Sequence, residues 1–346
     1  MATSTRIRVG VNGYGVIGKR VAAAVARQED MSLAGVSDVV TDWRAKMVVR
    51  NGFRLFGATG EAASAMHQAG LHVAGTLDDL LGQIDVVVDC TPKRIAAQNV
   101  ETYRRLRVKF ILQGGEKHAA AGHSFVAESN YASAIGREAT RVVSCNTTSV
   151  VRTLTALKRA GLLRRARGTL LRRATDPWES HESGIMNTLV PEPEIPSHQG
   201  PDAQTVDPDL DVITMAVKVP ETLAHLHYWS VQMTRKAGKE EVLEAFRRSS
   251  RIALIRIADG LVALNSVKEL MADRGRPHDN LYEVALWADM LQVRDDEVFY
   301  AYMVDNQAIV IPETIDAIRA LTGSVEDPNE SIARTNAALG IEASLF

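Results

Sequence analysis

The chain has 346 residues, 46% of them hydrophobic and 24% charged, with a net charge of −2 and only two cysteines. That length suits two domains, and the near-neutral charge gives no electrostatic reason to expect nucleic acid or an anionic membrane surface as partner. Two cysteines make no disulfide framework, "MATSTRIRVG" runs into a strand without the long apolar stretch of a signal peptide, and no run of about 18 apolar residues occurs, so a soluble cytoplasmic chain is expected.

From residue 6 to 143, short apolar runs alternate with helical patterns. Strands are expected at "IRVGV", "SLAGVSD", "IDVVVDC", "KFILQ" and "RVVS", with helices near 17–29, 42–50, 61–69, 77–83 and 94–106. Such alternation predicts βαβ units around a mostly parallel, doubly wound sheet. The first strand leads into "VNGYGVIGKRVA", which sets Gly13, Gly15 and Gly18 in G-x-G-x-x-G spacing and opens a helix. In that context the first glycine permits the turn, the second lets a pyrophosphate approach the backbone, and the third lets helix and strand pack closely. The helix N-terminus then offers unpaired N–H groups to the phosphates. Asp38 follows Gly18 by about 20 residues, where a carboxylate accepts from the adenosine ribose and repels a 2′-phosphate. NAD is therefore expected over NADP, although Arg44 nearby offers the opposite charge. Gly114 and Gly115 end another strand at the carboxyl edge, where such sheets bind ligands. Cys90, followed by Pro92, reads as structural.

"RVVSCNTTSVVRTL" places Cys145 between a strand end and a helix start, with Thr147 or Thr148 as caps. A helix N-terminus lowers a thiol's pKa and makes its thiolate reactive. Past residue 160 the texture changes to "GTLLRRAT", "VITMAVKV", "LAHLHYWSVQM", "IALIRI", "LYEVALWADM" and "EVFYAYMV", with one clear helix, "KEEVLEAFRRSS". This predicts an α+β domain with a largely antiparallel sheet. Six of the eleven prolines fall between 177 and 208, a stretch expected to be a functional loop. The domains are expected at 1–143 and 144–311, with helices in 312–346 packing back on the first.

A nicotinamide cofactor beside a cysteine at a helix start points to thiol-dependent aldehyde oxidation. A thiolate adds to the aldehyde, the thiohemiacetal loses hydride, and a thioester remains. The backbone at Cys145 and Asn146, and the Asn146 amide, can serve the oxyanion. His225 and His227, two apart on a strand, point to one face, and either can take the thiol proton and shuttle it later. They lack a third ligand, so no metal is expected. His198 is a further polar group in the proline-rich stretch. Arg172 and Arg173 end a strand facing opposite ways, so at most one enters the site, where a guanidinium suits a phosphate or carboxylate.

Taken together, "VNGYGVIGKRVA", "QGGEK", "VVSCNTTSV", "RRATDP", "PSHQGPD", "VPETLAHLH" and "IVIPETIDAIRA" resemble motifs of the archaeal-type phosphorylating glyceraldehyde-3-phosphate dehydrogenases. The resemblance implies oxidation of D-glyceraldehyde 3-phosphate, with NAD(P) and inorganic phosphate, to 1,3-bisphosphoglycerate in a homotetramer. It implies Cys145 as nucleophile and Ser144 and Asn146 as substrate contacts. The backbone of Val16 and Ile17 would lie on the dinucleotide phosphates, and Gly114 or Gly115 near the cofactor. Arg172 or Arg173 would serve the nicotinamide or phosphate side, and a histidine of the H-x-H strand, here taken as His225, would assist the thiol. Departures exist: the family's "SHHGPD" has Gln199 in place of its second histidine, a position expected to contact substrate phosphate. Ile185 replaces a proline, and a His-Gln pair becomes Asp305 and Asn306, the latter taken as a cofactor contact. A same-mechanism enzyme for another phosphorylated or acidic aldehyde, or a non-catalytic nucleotide-binding paralogue, is the alternative.

Overall fold

Val9 and Val11 of the first strand are fully buried, as strands covered by helices on both faces require. The computed structural model describes residues 6–113, 115–175, 189–342 and 344–345, and the chain divides into two units. One runs to Ser144 and takes up Ile311–Leu339; the other is Cys145–Val310 with the chain from Gly340.

The first unit opens with β1 (Ile7–Asn12), α1 (Val16–Ala26), β2 (Met31–Asp38), α2 (Trp43–Arg50), β3 (Leu55–Gly57) and α3 (Gly60–Gln68). It continues with β4 (Val73–Thr76), α4 (Leu77–Leu81), β5 (Val86–Asp89), α5 (Ile95–Arg105) and β6 (Lys109–Leu112). Then come α6 (His118–Ala121), β7 (Ser124–Phe125), α7 (Ala127–Ala134) and β8 (Ala139–Val142). The strands form an eight-stranded sheet in the order β4-β3-β2-β1-β5-β6-β8-β7, with every pairing parallel. Chain order reverses between β1 and β5, so the crevice beyond their carboxyl ends is the ligand position of such a sheet. Phe56, Leu80, Val87, Tyr103 and Phe110 belong to the core on one side. The strands and helices expected from the sequence are present. Strands β3, β4 and β7, of three, four and two residues, are too short to show a period and were not anticipated.

The second unit opens with α8 (Cys145–Arg159), β9 (Leu163–Arg173), β10 (Val190–Pro191), α9 (Gln199–Gln204), β11 (Val212–Val219) and β12 (His225–Met233). It goes on with α10 (Lys239–Arg247), β13 (Ile252–Ile255), α11 (Leu264–Asp273), β14 (Val284–Trp287), β15 (Gln292–Arg294) and β16 (Glu297–Val304). Its sheet runs β10-β11-β9-β12-β16-β14-β13, with β15 also on β16. Two pairings, β9 with β11 and β13 with β14, are parallel, and the others are antiparallel. Helix α11, which buries Val267 and Met271, was not read from the sequence. Thr147 and Thr148 are not caps. Both lie buried inside α8, and Thr147 Oγ1 donates to Asp202 Oδ2 at 2.7 Å, a tertiary partner the local pattern does not reveal.

Helices α12 (Val310–Thr322) and α13 (Pro328–Leu339) follow. Within the first unit, the buried guanidinium of Arg319 in α12 bonds Asp30 at 2.7 and 2.8 Å and Thr335 of α13 at 2.6 Å, and Glu313 accepts from Ala127 N at 2.6 Å.

Candidate active site

The glycine loop is built as its spacing requires. Gly13 has φ +92°, and a Cβ there would meet the Cys90 carbonyl carbon and Thr91 N at 3.0 Å. A Cβ on Gly18 would lie 1.8 Å from Gly13 O, so close packing of loop and helix demands glycine there. Gly15 differs: a Cβ would meet nothing within 4 Å, and φ is −75°. Nothing inside the protein requires a glycine at that position. Helix α1 begins there with no side-chain cap and no acidic residue in its first turn, which suits an anionic group. Asp38, at the end of β2, accepts from Tyr14 N at 2.6 Å through Oδ2 and from Val39 N at 2.6 Å through Oδ1. It therefore braces the glycine loop. Arg44 is held by the α2 cap Asp42, with guanidinium contacts of 2.6 to 3.1 Å. Beneath the loop, Tyr103 Oη donates to Asp89 Oδ2 at 2.6 Å and Asn12 Nδ2 donates to Tyr103 Oη at 2.9 Å, a buried network that the motif does not disclose. Burial, and then the charge of Asp89, push the Cys90 thiol well above its usual range, in keeping with a structural cysteine.

In the second unit, Cys145 is the first residue of α8 and His225 the first of β12. Alternation along β12 buries His225, His227, Trp229, Val231 and Met233 on one face. Cys145 Sγ lies 3.4 Å from His225 Nε2. The other ring nitrogen, Nδ1, accepts the backbone N–H of Arg173 at 3.1 Å. A backbone amide only donates, so Nδ1 carries no proton, and the neutral ring holds its single proton on Nε2, towards the sulfur. Burial, then the charges of His227, Arg173 and Arg172, hold His225 well below the usual histidine pKa. Cys145 is itself pushed up by burial. The charge of Arg173, the Asn146 N–H and Arg172 oppose that, and Asp305 adds to it. The helix-start effect expected from the sequence is thus outweighed by desolvation.

His227 does not bond the sulfur. Its Nε2 is 2.9 Å from Asn146 Oδ1 and its Nδ1 3.0 Å from Tyr302 Oη, while Asn146 Nδ2 is 3.8 Å from Cys145 Sγ. Tyr302 was missed in the sequence. Its only signal is the antiparallel register that pairs it with His227, which needs the strand neighbours to be known. Of the two arginines, Arg172 Nη1 bonds Glu192 Oε2 at 3.0 Å, and Glu192 also accepts from His198 Nδ1 at 2.5 Å. Burial would raise the Glu192 pKa, yet the hydrogen bonds from His198 hold it below the usual range. Gln199 is fully buried, accepting from Ser197 Oγ at 2.7 Å, and its Nε2 has no partner among the described residues. Ser144 is half-buried just before α8, and Gly115 lies in a turn after β6. Asn306 is buried after β16. Gly114 and Ile185 lie outside the described residues. No group of three or more His, Cys, Asp or Glu among the described residues is placed to hold a metal ion, and no helix among them is long and apolar enough to cross a membrane.

Residues 144–274 match the family model described as glyceraldehyde 3-phosphate dehydrogenase, C-terminal domain, and residues 7–114 that of dihydrodipicolinate reductase, N-terminus. The chain is 42% identical to a glyceraldehyde-3-phosphate dehydrogenase of Methanobacterium bryantii over 335 residues, 96% of this chain and 99% of that protein. It is 43% identical to that of Metallosphaera sedula over 97% of this chain and 98% of that protein. For Thermococcus kodakarensis the identity is 41%, over 97% of this chain and 99% of that protein. With a thiol and imidazole in contact at a helix start, a glycine loop with open space at Gly15, and this likeness along nearly its whole length, the chain belongs to the glyceraldehyde-3-phosphate dehydrogenase family.

Proposed function

We propose that the chain oxidises D-glyceraldehyde 3-phosphate to 1,3-bisphosphoglycerate through a thioester on Cys145 that inorganic phosphate cleaves, with NAD preferred over NADP. It is an enzyme with a nicotinamide cofactor. The observation that carries the reading is the 3.4 Å approach of Cys145 Sγ to His225 Nε2, with the far side of that ring fixed by Arg173 N.

The Cys145 thiol gives up its proton to solvent, and the thiolate adds to the aldehyde carbon as the carbonyl electron pair moves to oxygen. His225 serves as a hydrogen-bond donor through Nε2–H, to the thiolate first and then to the oxyanion. This departs from a histidine that takes the thiol proton. With Nδ1 occupied by a backbone donor, Nε2 already holds a proton and has no lone pair to receive another. A bound nicotinamide would supply the acceptor for the hydride lost from this carbon, leaving a thioester on Cys145. Phosphate then attacks the Cys145 thioester, expels the thiolate and yields the acyl phosphate, its proton passing to solvent. Arg173, whose charge favours the thiolate, and Ser144 complete the substrate side.

Gly15 and the N–H groups of Val16 and Ile17 would hold the pyrophosphate. The preference for NAD is supported by Asp38 at the end of β2 and by Arg44, whose guanidinium is already committed to Asp42. Self-association, for which the resemblance implies a homotetramer, is supported by the exposed apolar residues Met215 and Tyr228 of the second sheet, each 44% accessible. A second reading keeps the mechanism and changes the aldehyde. It is favoured by the unpartnered Gln199 Nε2, a neutral amide where the resemblance expects a histidine.

The test is the rate of NADH formation with D-glyceraldehyde 3-phosphate, with and without phosphate, beside NADP+. Rapid, phosphate-dependent reduction of NAD+ supports the proposal. Absence of turnover with the triose phosphate, while another phosphorylated or acidic aldehyde is oxidised, moves the assignment to the second reading.

A further inference from the structure

His227 is as deeply buried as any side chain in the second unit, and a buried imidazole needs partners for both nitrogens. It has them: Asn146 Oδ1 at 2.9 Å on Nε2 and Tyr302 Oη at 3.0 Å on Nδ1. Burial, and then the charge of Arg172, lower its pKa to about 3, so the ring is neutral and has one donor and one acceptor. Two arrangements satisfy it. In the first, Tyr302 donates to Nδ1, Nε2–H donates to Asn146 Oδ1, and the Asn146 NH2 group faces Cys145. In the second every polarity reverses, and Asn146 presents its oxygen to the sulfur.

The distances select the first. Tyr302 Oη is 3.0 Å from Nδ1 and 3.4 Å from Ser149 Oγ, and the phenol proton is placed on the nearer of the two. Burial raises the Tyr302 pKa, which keeps that proton in place. Asn146 Nδ2 then lies 3.8 Å from Cys145 Sγ, a donor for a thiolate, whereas an amide oxygen there would repel it.

We propose that His227 and Tyr302 are positioning residues that fix the amide of Asn146 as a second donor to the Cys145 thiolate, beside His225. His227 is then neither the base nor a ligand. The effect on turnover rests on the reading of Cys145 as nucleophile, but the effect on the thiol does not. The charged and titratable groups around the sulfur among the described residues are His225 from β12, Arg172 and Arg173 from β9, and Asp305 after β16.

The experiment is the pH dependence of Cys145 alkylation by iodoacetamide in the full chain, read on the Cys145 peptide by mass spectrometry, without aldehyde, cofactor or phosphate. Glutamine at 227 keeps a donor where Nε2 stood; asparagine keeps only a group near Nδ1. His227→Gln should leave the apparent thiol pKa within about 0.3 of the starting value. His227→Asn should raise it by about one unit, slowing alkylation at neutral pH about tenfold. Tyr302→Phe should move it the same way by a smaller amount. Equal shifts in the two His227 variants, or none in either, overturn the proposal. If His227→Asn does not fold, an unshifted profile in Tyr302→Phe overturns it alone. Because no aldehyde is present, the result is independent of which substrate the enzyme takes.

Discussion

At Cys145 two effects compete, desolvation that favours the thiol and donors that favour the thiolate, and in the resting chain desolvation wins. Reactivity then depends on hydrogen-bond donors rather than on a standing thiolate–imidazolium pair. This separates two roles for His225. If it donates through Nε2–H, His225→Gln, which keeps a donor there, should retain far more activity than His225→Asn, whose kcat should fall by about 10² to 10³. If it were a base, both variants would lose rate alike, since neither amide takes a proton. Steady-state kcat of the two variants decides. Cys145 and the H-x-H pair stood out in the sequence because the chain has only two cysteines and a strand's two-residue period puts both histidines on one face. The division of labour between them was not. It is set by a main-chain N–H at Arg173, which has no residue signature, and by Tyr302, which reaches His227 only through strand register.

Among the elements, the strand–loop–helix of β1 and α1 was the most legible, since three glycines stand at fixed spacing between an apolar strand and a helix, and the fold itself requires two of them. Gly15→Ala adds a methyl group to open space at an allowed φ, so the melting temperature should stay within about 2 °C. Its dissociation constant for NAD should rise at least about tenfold, because the methyl occupies the phosphate approach. Gly18→Ala places Cβ against Gly13 O and should lower stability itself. Thermal unfolding beside fluorescence titration with NADH would check both, and an unchanged affinity in Gly15→Ala would remove the phosphate from this loop. Elements that escaped the sequence reading share a physical cause. β3, β4 and β7 are too short for a period, and the hydroxyl that mimics a cap at Thr147 is spent on Asp202. Helix α11 buries only two residues along its length, a weak stripe beside strong strands.

For the whole molecule, buried neutral histidines set the behaviour in acid. His123, between Thr140 Oγ1 and Ser133 Oγ in the first unit, is lowered to about 4 chiefly by burial, and His227 in the second to about 3. The unfolded chain binds protons at these side chains below about pH 6.5, where the folded chain still refuses them. Stability is therefore complete above that pH and declines as pH falls towards the folded values. The melting temperature should drop by about 5 °C or more between pH 7 and pH 5. His227→Gln should flatten part of that slope by removing one group that must charge on unfolding. A melting temperature constant over this range would mean that these histidines already bind protons in the folded state. The chain divides into two units at Ser144 and Cys145, and the sequence changes texture near residue 160, where βαβ alternation gives way to successive strands. The second sheet's mixed pairing was not legible there, because chain order alone does not say that β9 and β11 run parallel.

If Cys145 carries the acyl group as proposed, mass spectrometry of the intact enzyme after mixing with D-glyceraldehyde 3-phosphate and NAD+ in phosphate-free buffer reads it directly. The chain should gain the mass of a 3-phosphoglyceroyl group on the Cys145 peptide, and added phosphate should discharge it as NADH formation resumes. Turnover by Cys145→Ser at a rate near the starting enzyme's, or an acyl group on any residue other than Cys145, would contradict the account.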